Sequence, residues 1–73
     1  MTVTVYSKAN CVQCKATMRT LDSKGIAYEV VNLDTDKAAL DRVQALGYRQ
    51  APVVETGEQH WSGFRPDLIA AIA

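Results

Sequence analysis

The chain has 73 residues, eight basic against eight acidic, with 48% hydrophobic and 22% charged side chains. That length allows one domain at most, spanning 1–73, with a small core and modest stability. The composition excludes a disordered chain, and zero net charge supplies no long-range attraction to nucleic acid or to an anionic membrane.

Thr2-Val3-Thr4-Val5-Tyr6 alternates polar and apolar residues and predicts a first strand, followed by a loop from Ser7 to Asn10. From Cys11 to Lys24 the pattern turns helical, with Cys14, Met18 and Leu21 recurring at three- to four-residue spacing, and Gly25 suits the C-terminal cap. Ile26 to Leu33 is rich in β-branched and aromatic residues and predicts a second strand. Asp34-Thr35-Asp36 offers N-cap candidates for a second helix, whose apolar stripe is Leu40, Val43 and Leu46 and whose end is Gly47. Two strands joined by a helix should lie parallel with a right-handed crossover. Beyond Pro52, Val53-Val54-Glu55 and Gln59-His60-Trp61 flank the turn Thr56-Gly57-Glu58 and should pair antiparallel. Pro66 fits the first turn of a third helix, docked by Leu68, Ile69 and Ile72. The order is βαβαββα, an α/β chain with a small four-stranded mixed sheet packed by three helices.

Chemistry concentrates where the first strand meets the first helix, in Asn10-Cys11-Val12-Gln13-Cys14. The thiolate is the reactive form of cysteine, and a helix N-terminus favours it through unpaired backbone N–H groups and the positive end of the helix dipole. Cys11 is therefore expected to attack. Cys14, three residues on and one turn deeper, is close enough to close a disulfide and is expected to resolve. A purely structural crosslink is disfavoured, because a loop of two intervening residues constrains the unfolded chain very little. A CxxC beside a βαβ pattern marks a thioredoxin-like layout. Secreted small domains usually carry several long-range disulfides. No apolar run approaches the roughly 20 residues that span a bilayer, and no signal-peptide pattern is seen. A cytoplasmic setting is expected.

The chain resembles the glutaredoxin-like redoxins of the NrdH type across essentially its whole length. Three segments carry the resemblance: Val5-Tyr6-Ser7-Lys8 leading into Cys11-Val12-Gln13-Cys14, then Gln50-Ala51-Pro52-Val53-Val54, then Trp61-Ser62-Gly63-Phe64-Arg65-Pro66. It implies a dithiol carrier that accepts electrons from thioredoxin reductase and passes them to the large subunit of a class Ib ribonucleotide reductase. It also implies a cis Ala51-Pro52 bond beside the cysteines and partner contacts at Lys8, Val12, Gln13, Ala51, Pro52, Trp61, Ser62, Gly63, Phe64 and Arg65. From local sequence, Pro52 could equally start an edge strand. Trp61 and Phe64 could either seal the core or form an exposed aromatic patch. Lys8 could favour the Cys11 thiolate or simply be solvated. A monomer without cofactor or metal is expected.

Two rivals remain. A glutathione-using glutaredoxin could pair glutathione's carboxylates with Lys8 and Arg49. Against it, Arg65-Pro66 stands where glutaredoxins commonly place acidic residues, and a positive group there should repel the ammonium of glutathione. A metal- or cluster-binding module would need about four ligands, and one CxxC supplies half of a usual set. His60 is assigned no role, and Glu29, Lys37, Asp41 and Arg42 are expected to form solubilising faces.

Overall fold

Alternation in the first apolar run puts Val5 on one face of a strand and Tyr6 on the other, and each needs a helical layer to cover it. In the computed structural model, which describes residues 2–72, that strand is β1 (Thr4–Ser7). It is followed by α1 (Val12–Ser23), β2 (Glu29–Asn32), α2 (Lys37–Ala45), β3 (Val53–Glu55), β4 (His60–Ser62) and α3 (Pro66–Ala70). The strands form one sheet in the order β2-β1-β3-β4. β1 is parallel to β2 and antiparallel to β3, and β3 is antiparallel to β4. This is the thioredoxin-like βαβαββα arrangement.

Register decides which side chains share a layer. Val5, Val54 and Trp61 are cross-strand partners and join Val3, Leu21 of α1 and Ile69 of α3 in one buried cluster. Tyr6 and Val53 face the other way and join Leu33 with Ala39 and Val43 of α2. The sheet is thus covered by α1 and α3 on one face and by α2 on the other. Each fully buried Val, Leu or Ile contributes about 1.5–3 kcal/mol, and both thin layers are needed to hold a chain this short.

The elements are shorter than the sequence pattern suggests, and local hydrogen bonds explain why. After α1, the Gly25 N–H donates to Asp22 O and the Ile26 N–H to Leu21 O, both at 3.0 Å, satisfying the last helical carbonyls. This closure turns Ile26 back onto the core beside Leu21 and removes it from the sheet. The ladder starts where the Glu29 N–H meets Val3 O at 2.8 Å, so β2 is Glu29–Asn32 rather than 26–33, and β1 begins at Thr4 rather than Thr2. α2 ends in the same way, with the Gly47 N–H on Gln44 O and the Tyr48 N–H on Val43 O. β4 begins at His60 rather than Gln59 because the turn closes through the Thr56 N–H on Gln59 O at 2.8 Å.

Arg42 corrects the expectation of a solubilising face. Lys37 and Asp41 do pair at the surface, at 3.1 Å. Arg42 instead crosses from α2 to β3, donating to Glu55 through Nε, at 3.0 Å, and through Nη2. The Tyr6 hydroxyl donates to the same carboxylate at 3.0 Å. Val53 and Glu55 alternate onto the face that α2 covers, which brings the guanidinium and carboxylate together. The Arg42 guanidinium holds the Glu55 carboxyl below its ordinary range, while burial and the Glu55 carboxylate push the Tyr6 hydroxyl up.

Candidate functional site

Cys11 is the N-cap of α1, in extended conformation (φ −107°, ψ 103°), and its Sγ accepts a hydrogen bond from the Cys14 N–H at 3.1 Å. The first turn of α1 carries no acidic residue to offset the positive end of the helix dipole. The sulfur of Cys11 therefore sits where a thiolate is stabilised by both a backbone donor and the dipole. Cys11 and Cys14 are joined in a disulfide, with Cα atoms 5.2 Å apart. The two differ in access: Cys11 is half-buried, whereas Cys14 is 1% exposed.

The fold brings the three distant sequence segments to this sulfur pair. The Gly63 N–H donates to Pro52 O at 2.8 Å, and Ser62 Oγ donates to Gln50 O at 3.3 Å, tying the loop after β4 to the loop before β3. A Cβ placed on Gly63 would lie 3.7 Å from Gln13 Oε1, so the same loop abuts the residues between the cysteines. The Ala51–Pro52 bond is cis, as the resemblance implies. Val12, 80% exposed, and Phe64, 36% exposed, supply the apolar surface here.

Trp61 is separated from that surface. Of the two fates open to the aromatic pair, it takes the core: it is 5% exposed and packs among Val5, Val54, Leu21 and Ile69. As the register partner of Val54 it must face α1 and α3, so it offers no contact area to a partner and Phe64 alone of the two is outward. The indole N–H has no hydrogen-bond partner among the described residues, which makes its contribution one of packing.

Arg65 also differs from expectation. Its Nε and Nη2 donate to the two carboxylate oxygens of Asp67, at 3.2 and 3.0 Å. Arg65 holds the Asp67 carboxyl below its ordinary range. Asp67 offsets part of the Arg65 charge, so the repulsion of an approaching ammonium is weaker than a free guanidinium would give. Besides Lys15 on α1, the cations near the site without an acidic partner among the described residues are Lys8 and Arg49. They line a cleft of about 580 Å3 together with Tyr48 and Gln50 and the apolar Leu33, Leu40 and Val43.

Two contacts carry no signal in the sequence pattern. His60 Nδ1 lies 2.7 Å from the Tyr48 hydroxyl, linking β4 to the end of α2. Asp34, one of three cap candidates, leaves that role to Asp36, whose Oδ1 accepts from the Ala39 N–H at 3.0 Å, and turns instead to the Ala9 N–H at 3.0 Å. Among the described residues no three His, Cys, Asp or Glu side chains come together as a metal site, and no helix is long and apolar enough to cross a membrane.

The family model for glutaredoxin matches residues 3–61. The chain is 51% identical over 69 residues to the glutaredoxin-like protein NrdH of Salmonella typhimurium, a match covering 94% of this chain and 85% of that one. The chain belongs to the NrdH-type members of the glutaredoxin family. It is 41% identical over 71 residues to the NrdH protein of a Lactococcus lactis strain, covering 97% and 99% of the two chains. The solved structure of the NrdH-redoxin of Escherichia coli superposes with a TM-score of 0.96 at 42% identity, covering all of this chain and 96% of that one. The Cys11–Cys14 pair is accordingly the redox-active CxxC of a thiol-disulfide oxidoreductase.

Proposed function

We propose that this NrdH-type redoxin is a cytoplasmic, monomeric dithiol carrier that accepts electrons from thioredoxin reductase and reduces a disulfide in the large subunit of a class Ib ribonucleotide reductase. The observation that carries the proposal is the asymmetry of the pair: Cys11 is accessible at a helix cap and Cys14 is sealed beneath it. In the reduced protein the Cys11 thiolate attacks the partner disulfide, forming a mixed disulfide and expelling one partner sulfur as a thiolate that takes up a proton. Cys14 then loses its proton and attacks Cys11 Sγ, which releases the second partner sulfur. Two electrons pass to the partner, whose two sulfurs take up the proton released by Cys14 and one from solvent, and the carrier returns to the disulfide form. A short loop between the cysteines suits this chemistry because Cys14 needs no large movement to reach Cys11.

The partner is engaged by surface rather than by charge. Val12 and Phe64 supply apolar contact area, and the half-buried Ala51 supplies backbone for pairing with an extended segment, whereas Pro52, expected as a contact, is buried, has no N–H and has its carbonyl taken by the Gly63 N–H. The solved relative from E. coli is described as having a thioredoxin-like activity profile, which supports a thioredoxin reductase as the electron source. The test is an NADPH-coupled assay that compares thioredoxin reductase with glutathione plus glutathione reductase, using ribonucleotide reductase as acceptor. Turnover with thioredoxin reductase supports the proposal, and efficient turnover only with the glutathione system overturns it.

One observation favours glutathione as a second reductant. The Lys8 and Arg49 cleft presents two uncompensated cations above apolar residues, a setting for a carboxylate-bearing small thiol. In the same assay, a glutathione-supported rate that falls when Lys8 or Arg49 is replaced by Ala assigns that cleft to glutathione.

A further inference from the structure

We infer that Asp34 is a positioning residue for the attacking thiol, holding the loop that sets Cys11 against the end of α1. The inference rests on Cys11 attacking first, as proposed above. The loop leaves β1 at Ser7, whose carbonyl accepts from the Leu33 N–H at 2.8 Å. Two residues later the Ala9 N–H donates to Asp34 Oδ2 at 3.0 Å, across 25 positions of sequence. Asp34 is itself fixed, because its N–H donates to Asn32 Oδ1 at 2.8 Å, while the Asp36 N–H reaches Asn32 O at 3.0 Å. The turn after β2 is thus a braced support that aims one carboxylate at the loop.

The chain then reverses within two residues. Asn10 adopts φ +57°, a left-handed conformation that Asn tolerates better than most side chains. Cys11 follows in extended conformation and places its Sγ on the Cys14 N–H. With the start of the loop held at Ser7 and its middle at Ala9, this reversal has one direction. Without the Asp34 contact, the segment between Ser7 and Cys11 is free to swing, and Cys11 loses the backbone donor that stabilises its thiolate. Removal of a nearby negative charge by itself acts in the opposite sense, favouring the thiolate. The sign of the change therefore separates positioning from charge. The other charged groups on neighbouring elements are Lys8, Lys15, Arg49 and the Arg65–Asp67 pair, and both variants below leave them in place.

The experiment measures the alkylation rate of Cys11 in the reduced protein across about pH 5 to 10, a range that brackets the ordinary thiol value, with the site mapped by mass spectrometry. It uses the parent, Asp34→Ala and Asp34→Asn. In Asp34→Ala the midpoint is expected to rise toward the ordinary thiol value, with the rate at neutral pH falling about 3- to 10-fold. Asp34→Asn, which keeps an acceptor oxygen, is expected to match the parent or lie below it. A low parent midpoint shared by both variants, or an upward shift in Asn equal to that in Ala, overturns this inference and leaves the proposed function standing. A parent midpoint already at the ordinary thiol value overturns both. Should Asp34→Ala fail to fold, hydrogen exchange at the Ala9 amide replaces it: protection in the parent and in Asp34→Asn supports the contact, and rapid exchange in the parent overturns it.

Discussion

Gly63→Ala tests how the loop after β4 is held beside the dithiol. Gly63 has φ +87°, in the region where a side chain is penalised, while a Cβ there would approach nothing nearer than Gln13 Oε1 at 3.7 Å, an ordinary contact. The substitution therefore isolates backbone conformation from crowding. The cost of holding a non-glycine residue there is about 1–2 kcal/mol, against a total stability of about 4–11 kcal/mol for a chain of this length. For so small a domain each kcal/mol lowers the melting temperature by about 4–8 °C, so a fall of about 4–16 °C is expected. Gly57 supplies the control, since it lies outside the left-handed region and open space surrounds its Cβ position. Gly57→Ala should leave the melting temperature unchanged or raise it by a few degrees, by restricting the unfolded chain. Thermal unfolding of the oxidised proteins followed by circular dichroism measures both. Equal shifts in the two variants, or an unaffected Gly63→Ala, would refute the reasoning.

Two other perturbations test different parts of the molecule. Cys14→Ser should accumulate a covalent Cys11 adduct with the disulfide-bearing partner, visible on a non-reducing gel and dissolved by dithiothreitol; a variant that traps nothing while turning over normally removes Cys14 from the resolving step. Glu55 titrates below its ordinary value of 4.5 in the folded protein, chiefly because Arg42 donates to it. Its contribution is therefore complete above that ordinary value and is lost as pH falls through the lower folded value. The urea midpoint of the parent should drop more steeply below about pH 4.5 than that of Glu55→Gln, and parallel profiles would show that the Arg42 contact adds nothing to acid stability.

Legibility in the sequence followed the range of the interaction. The cysteine pair, its helix and the glycines that end both long helices are set by neighbours a few residues away, and the pattern reveals them. Local order places Cys11 at the start of the helix, while its extended conformation as the N-cap, outside the helix proper, shows only in the structure. Trp61 was ambiguous because its face depends on where β4 begins, which in turn depends on how Thr56 and Gln59 close the turn. Arg42 looked like a surface charge because its partner lies on a strand 13 residues away, brought near only when α2 covers the sheet. Asp34 was hidden among three cap candidates, since any of them fits a helix start and only the packed loop shows which one turns to Ala9. Arg65 was readable as a charge but not as a compensated one, although Asp67 stands two residues away, because that pairing depends on the side chains meeting after Pro66 starts α3.

The unequal access of the two sulfurs underlies the whole functional account, and a brief, limiting dose of iodoacetamide at neutral pH tests it most directly. Given to the fully reduced protein and then quenched before digestion, the dose should leave its label on Cys11, as read by mass spectrometry, with Cys14 still unmodified. Label reaching Cys14 first, or reaching both residues at the same rate, would contradict the division of labour between attacker and resolver.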